Sequence, residues 1–160
     1  MNRIYFDNAA TTPIAAEVIS SMADAMKNYP GNPSSIHKEG RESRAAIERA
    51  RKKVAQLMGS SIGEIFFTSC GTESNNMILR GCVRDLEVKR IISSQIEHHA
   101  VLHPLHKLEK EGVEVIYLDL DERGRISIAQ LEEVLKASDE NTLVSLMHAN
   151  NEVGTMIDLE

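Results

Sequence analysis

The first third of the chain carries apolar residues at helical spacing, bounded by segments rich in turn-forming residues. Residues 3–6 read as a short strand or an extended arm. The spacing that follows predicts one helix over residues 15–29 and a second over about residues 39–58. Gly59 is a helix stop signal and ends this part of the pattern.

Beyond Gly59 the pattern changes to short apolar runs that alternate with amphipathic segments. We interpret the four runs as buried strands and the segments between them as helices. Strands separated by helices of this length indicate β-α-β units, so the predicted fold class is α/β, a mostly parallel sheet with helices on both faces. The predicted strands are residues 65–67, 88–93, 113–118 and 143–147. The first predicted helix in this part of the chain follows the segment 68–73 and ends at about Val83. The other two span residues 98–111 and 128–137.

Polar segments follow three of the predicted strands, at residues 69–73, 97–99 and 148–155. Sheets of this kind bind ligands at the carboxyl ends of their strands. We therefore expect these three segments to converge in space and to hold the functional residues.

The segment from Thr68 to Glu73 joins a predicted strand to a helix through one glycine and several hydroxyl groups. A helix N-terminus presents unpaired N–H groups and partial positive charge, which suits a phosphate. Gly71 allows close backbone approach, and Thr72 offers a hydroxyl and its own amide. The same residue types also describe a plain capping box with Glu73. The chain has neither a P-loop nor a G-x-G-x-x-G motif, which disfavours a dinucleotide.

The other two segments carry histidine and asparagine. His98 could stack on a flat ring or move protons, or it could be an exposed residue at a helix start. His99, His103 and His106 share one helical face, but no acidic or thiol partner is spaced to complete a metal site, so no metal is expected. In residues 149–155, Asn151 could bind a cofactor hydroxyl or a substrate carboxylate, or the amides could satisfy their own turn.

Composition and net charge exclude several classes of binding partner. The chain has 160 residues and a formal net charge of -6, so no basic surplus favours general nucleic-acid binding. No signal region follows Met1 and no stretch is long enough to cross a bilayer, so no membrane partner is expected and the cytoplasm is the expected location. Cys70 and Cys82 form no C-x-x-C pair, which argues against a disulfide or a zinc site.

Taken together, these segments resemble the NifS/IscS-type cysteine desulfurases, a branch of the class V, fold-type-I pyridoxal-phosphate (PLP) enzymes. The matches lie in the family's order across essentially the whole chain. They are residues 5–13 (YFDNAATTP), 31–37 (GNPSSIH), 67–75 (FTSCGTESN), Glu97-His98 with Ala100-Val101, and 149–155 (ANNEVGT).

The resemblance implies PLP as the cofactor. It implies that Thr72, with the neighbouring backbone at Gly71, holds the PLP phosphate and that Glu73 borders this site. His98 would stack on the pyridine ring as a catalytic and cofactor-binding residue, and Asn151 would contact the ring hydroxyl. It further implies conversion of L-cysteine to L-alanine with transfer of sulfur for iron–sulfur or other sulfur-cofactor assembly. The implied partners are a sulfur-acceptor or scaffold protein and a second subunit, either a homodimer copy or a complementary C-terminal chain.

The chain departs from the family pattern at its end, because relatives continue past Glu160 to an aspartate, a Schiff-base lysine and a catalytic cysteine. Residues 35–38 (SIHK) mimic the lysine motif, but they overlap the 31–37 family segment and lie upstream of the first predicted core strand. We therefore reject Lys38 as the Schiff-base lysine. Cys70 reads as a small filler and Cys82 as an inert helix-interior thiol. We expect an arm at residues 1–14 and an incomplete PLP-binding large domain at residues 15–160.

The isolated chain is therefore expected to be inactive. Two alternatives stay open. The chain could belong to another class V enzyme, such as a selenocysteine lyase or an aminotransferase. It could also be a non-catalytic fragment that acts as a binding or dimerisation module.

Overall fold

The computed structural model describes residues 4–158, which form two compact units that divide between Phe67 and Thr68. Residues 4–14 are exposed and form no helix or strand. The alternative of a short strand at residues 3–6 is wrong for residues 4–6, and Arg3 lies outside the described residues.

The first unit contains both helices that the apolar spacing predicts. Helix α1 spans Ala16–Asn28 and helix α2 spans Lys38–Met58. The His37 side chain caps α2 by accepting a hydrogen bond from the Gly40 N–H at 3.3 Å. Gly59 ends the helix with φ of 66°, a left-handed conformation that glycine adopts without a steric penalty.

The loop before α2 needs glycine because two backbone segments touch. A Cβ on Gly31 would lie 2.5 Å from the carbonyl oxygen of Glu39, and a Cβ on Gly40 would lie 2.5 Å from that of Ser35. Any side chain at either position would force the segments apart. This packing fixes how the 31–37 segment enters the helix.

The predicted strand at residues 65–67 is wrong. Ile65 is extended, but the segment joins no sheet within the described residues, and Phe66 and Phe67 are 69% and 53% exposed. Arg51 holds the segment instead, because its guanidinium donates to the Ile65 carbonyl and lies 4.9 Å from the centre of the Phe67 ring. An apolar run forms a strand only where a partner strand completes its hydrogen bonds.

The second unit alternates helices and strands, and its three strands form a parallel sheet in the order β2-β1-β3. Ile91 of β1 pairs with Val115 of β2 on one side and Leu143 of β3 on the other. The predicted α/β class with a parallel sheet is confirmed. The elements are α3 (Gly71–Asp85), β1 (Arg90–Ser94), α4 (His99–Lys110), β2 (Glu114–Leu118), α5 (Ile128–Lys136) and β3 (Thr142–Val144).

Strand β3 is shorter than the predicted 143–147. Ser145 still donates its N–H to the Ile92 carbonyl at 2.9 Å, but the Met147 N–H is bound by the side chain of Glu97. A carboxylate therefore replaces strand pairing at the carboxyl end of β3.

The core of this unit surrounds β1, whose five residues are all buried. Helices α3 and α4 pack together over it through Leu79 and Leu105, which are 2% and 0% exposed. The buried cluster comprises Leu79, Val88, Ile91, Val101, Leu105 and Leu108. Among residues 4–158, no helix is long and apolar enough to span a membrane.

Candidate functional site

The turn before α3 is built by its own hydroxyl and carboxylate groups. The Glu73 carboxylate accepts a hydrogen bond from the Ser69 N–H at 2.6 Å, and the hydroxyl groups of Thr68 and Ser74 lie 2.7 Å apart. These contacts hold residues 68–70 against the first turn of the helix. Glu73 thus closes this turn through Ser69, one residue before the N-cap Cys70, and does not form the capping box that the sequence alternative describes.

Gly71 opens α3, with open space on its outer side. A Cβ placed on Gly71 would have no atom within 4 Å, and its φ is not positive. Neither packing within this chain nor backbone strain therefore requires glycine here. The absence of a side chain leaves the N–H groups of the first turn open to a ligand.

Cys70 is the N-cap residue of α3 and has an exposed, free thiol. The backbone N–H of Glu73, then the Ser69 hydroxyl and the Thr72 N–H, lower the pKa of the Cys70 thiol. An exposed thiol at this position is not a packed filler. Its lowered pKa shows that the N-terminus of α3 favours negative charge.

A groove of about 420 Å³ runs between α3 and α4. It begins at Thr72 on α3 and His98 at the start of α4, and it extends to Arg80 and Lys107. None of the described residues that line it is acidic, although the chain as a whole is acidic. The lining residues are Thr72, Asn76, Arg80, His98, His99, Ala100, His103, Pro104 and Lys107.

The ring of His98 is oriented by the helix that it caps. Its Nδ1 accepts a hydrogen bond from the Ala100 N–H at 3.0 Å. An accepting Nδ1 places the proton of a neutral imidazole on Nε2, which stays able to donate. His98 therefore enters the groove as an exposed ring in a defined orientation.

The predicted histidine face of α4 forms two separate contacts. The rings of His99 and His103 stack with centres 5.2 Å apart, whereas His106 lies 6.4 Å from Tyr117. Within residues 4–158, no group of three or more potential ligands is placed to hold a metal ion.

The turn after β1 is tied to the loop after β3. The buried Glu97 carboxylate accepts the Met147 N–H, and the Asn150 side chain donates to the Ile96 carbonyl at 2.8 Å. The oxygen of the same Asn150 side chain accepts the N–H groups of Glu152 and Val153 at 2.8 and 2.9 Å. These bonds bring two of the three predicted segments together.

The sequence leaves two roles open for the amides of residues 149–155, ligand binding or bonds within their own turn. The structure places Asn150 and Asn151 differently with respect to these roles. Asn150 is 8% exposed and uses its amide inside the fold, so for this residue the structural reading is correct. Asn151 is exposed in the turn beside it, and its predicted contact with a cofactor stays a prediction. Sequence reasoning missed the roles of Glu97 and Asn150, and their place in polar segments that follow apolar strands was the available signal.

A second and larger cavity, of about 640 Å³, lies along the other side of the turn that contains Ile96. Asp119, Asp121 and Asp158 line it, and Asp121 pairs with Arg125 at 2.8 Å. Carboxylates repel a phosphate, so the α3–α4 groove is the better anion site of the two.

Comparison with known proteins places these features in context. Residues 4–160 match the family model Aminotransferase class-V. The cysteine desulfurase IscS of Dictyoglomus turgidum is 50% identical over 155 residues, which cover 96% of this chain and 39% of that protein.

Two solved structures share the fold at substantial identity. A NifS-like protein superimposes with a TM-score of 0.86 at 46% identity, over 97% of this chain and 43% of its own. SspA in complex with cysteine gives a TM-score of 0.83 at 39% identity, over 95% and 44%. This chain therefore spans between 39% and 44% of the length of these relatives.

Proposed function

The chain belongs to the class-V aminotransferase family, and on that premise we propose that it anchors PLP in a cysteine desulfurase. The observation that carries the proposal is the shared groove of Thr72 and His98, which joins an anion-favouring helix end to an oriented aromatic ring. The high identity to cysteine desulfurases over nearly the whole chain supports the same reaction class.

The residues at the groove fit the cofactor. The first turn of α3 is open at Gly71 and favours negative charge, as the lowered pKa of the neighbouring Cys70 thiol indicates. A phosphate monoester would be bound there by the Thr72 hydroxyl and by backbone N–H groups. His98 would cover one face of the pyridine ring, and Asn151 would donate to the ring hydroxyl.

When bound, PLP supplies an electron-withdrawing ring that stabilises negative charge on the substrate amino acid. The residues of this chain contribute orientation, because hydrogen bonds within the chain fix both His98 and the α3 N-terminus. The proposed reaction converts L-cysteine to L-alanine and passes the sulfur to an acceptor for iron–sulfur or related cofactor assembly. The lysine and the sulfur-carrying cysteine that the resemblance implies have no match here, so we assign cofactor anchoring to these residues.

A titration with PLP and with pyridoxal, which lacks the phosphate, tests the proposal. PLP is expected to bind more tightly and to slow alkylation of Cys70 by iodoacetamide, because its phosphate would lie over the same helix end. Inorganic phosphate should compete with PLP at this end. Equal affinity for the two compounds, with no protection of Cys70, would overturn the assignment. In the most complete form of the protein obtainable, alanine should form from L-cysteine only with PLP present.

We further propose that the chain works with a second polypeptide, either a copy of itself or a complementary chain, and delivers sulfur to an acceptor or scaffold protein. Strands β2 and β3 each have one partner strand within the described residues, which leaves an open edge on both sides of the sheet. Sedimentation equilibrium with hydrogen exchange tests the need for a second polypeptide. A monodisperse monomer with strong amide protection in β1, β2 and β3 would contradict it.

We propose a cytoplasmic location as well, supported by the two free thiols and testable by cell fractionation.

A further inference from the structure

Glu97 is a buried carboxylate that the proposed binding of PLP does not use. It lies in the turn between β1 and α4, directly before His98, and is 8% exposed. Carboxylates are seldom buried to this degree without a partner, because the charged form loses its hydration. Its position needs a physical reason.

The partner of Glu97 lies in a segment that is 50 residues further along the chain. One carboxylate oxygen accepts the N–H of Met147, at the point where β3 has left the sheet. No ion pair to Glu97 is found within residues 4–158. Burial is the main cause that raises the pKa of Glu97, and the bond from Met147 opposes it. One backbone N–H thus offsets part of the free energy that the charged carboxylate loses on burial.

That donor begins the loop that ends in the candidate asparagine. Beyond Met147, the Asn150 N–H donates to the Thr155 carbonyl at 2.9 Å, and the Asn150 side chain donates to the Ile96 carbonyl. The loop is therefore closed on itself and fastened at two points to the turn that presents His98. Among the described residues, the bond to Glu97 is the one that fastens Met147, the first residue of this loop.

We propose that Glu97 is a positioning residue that holds the loop bearing Asn151 in register with His98, acting through the Met147 N–H. The proposal rests on the proposed function, since the distance that Glu97 sets matters only if His98 and Asn151 bind the same ligand. Glu97 itself touches no ligand in this arrangement. Its role depends on a side chain long enough to accept the Met147 N–H, and not on the negative charge of the carboxylate.

Two substitutions separate reach from charge. Glu97→Gln keeps an oxygen at the same distance and removes the charge, whereas Glu97→Asp keeps the charge and shortens the side chain by one methylene. Both retain a polar group of similar size, so they perturb folding less than Glu97→Ala. Glu152→Ala is the matched control, because its carboxylate is exposed in the same loop and makes no hydrogen bond or ion pair among the described residues.

Hydrogen exchange followed by mass spectrometry gives a readout without cofactor. Glu97→Asp is expected to speed exchange of the peptide containing the half-buried Met147 roughly tenfold, the effect of leaving its N–H donor without a partner. Glu97→Gln and Glu152→Ala should exchange within about twofold of the native chain. Unchanged exchange in Glu97→Asp would overturn the proposal, as would equal acceleration in Glu97→Gln.

PLP affinity, measured by titration of the same variants, gives the second readout. Glu97→Asp is expected to weaken PLP binding by a factor of about ten, whereas Glu97→Gln should bind PLP as tightly as the native chain does. A thermal melt of each variant confirms that the measurement is made on folded protein. Faster exchange with unchanged PLP affinity would reduce Glu97 to a structural role and overturn the proposal. Failure of the native chain to bind PLP would overturn the proposed function and, with it, the role of Glu97 toward a ligand, whereas the exchange results would still report on the bond to Met147.

Discussion

Removal of the Thr72 hydroxyl tests the cofactor site most directly. Thr72 is the second residue of α3 and is exposed, and its carbonyl accepts the Asn76 side chain at 3.0 Å. Thr72→Ala removes the hydroxyl without disturbing that backbone bond. The helix should therefore keep its fold while it loses one donor to the phosphate.

The expected loss follows from the chemistry of the contact. A hydrogen bond to a charged group contributes roughly 1.5–3 kcal/mol. Because the Thr72 side chain is exposed, water competes for the phosphate and places the loss near the lower limit. A loss of about 1.4 kcal/mol corresponds to a tenfold rise in the Kd for PLP.

A fluorescence titration with PLP measures the change, with Thr72→Ser as the matched control because serine keeps the hydroxyl. Cys70→Ala provides a second control, since we expect the thiol to contribute little to binding. Pyridoxal should bind the native chain and Thr72→Ala equally, because it has no phosphate. Equal weakening by Thr72→Ala and Cys70→Ala, or the same loss for pyridoxal as for PLP, would refute the assignment of the phosphate to this helix end.

Four further outcomes follow from the structure. Iodoacetamide is expected to alkylate Cys70 before the half-buried Cys82, because neighbouring N–H groups lower the pKa of the exposed thiol; mass spectrometry reads the order, and the reverse order contradicts it. Leu105→Ala should reduce the free energy of unfolding by about 2–5 kcal/mol in urea titrations, whereas the same change at the exposed Leu86 should stay within about 0.5 kcal/mol. Hydrogen bonds from Ser69 lower the pKa of Glu73, so its ionised form stabilises the start of α3, and this contribution is lost as pH falls through the lowered pKa; Glu73→Gln should remove that part of the acid dependence in thermal melts. The 160-residue chain with PLP and a thiol reductant should release no more sulfide from L-cysteine than free PLP does, and a clear excess would show that the missing nucleophiles lie within it.

Local signals were sufficient for most of the helices. Gly59 ends α2 as predicted because a positive φ at a helix end is a local property of glycine. The run at residues 65–67 shows the limit of such reasoning. Its apolar residues are the same as those of a buried strand, but strand formation depends on a partner, and Arg51 is the partner that the segment finds here.

The sequence indicated which segments form the candidate site, but not the hydrogen bonds that connect them. Thr72 and His98 stand in recognisable segments after predicted strands, and the groove between α3 and α4 brings them together. The bond from Met147 to Glu97 could not be predicted, because it joins residues 50 apart and depends on where β3 leaves its pairing with β1. Asn150 and Asn151 are chemically identical, and only the fold determines which amide turns inward.

The support of His98 by β1 accounts for the fixed position of the ring at the groove. Strand β1 is paired on both sides and wholly buried, and His98 follows its last residue by four positions. The ring is then fixed by the Ala100 N–H, while Glu97 beside it fixes the loop after β3. A ligand that binds groups already held in place loses less free energy to ordering than one that must arrange them. If His98 and the loop after β3 bind one ligand, as we propose, the burial of a carboxylate at Glu97, unfavourable for folding taken alone, preorganises that site at the carboxyl end of β1.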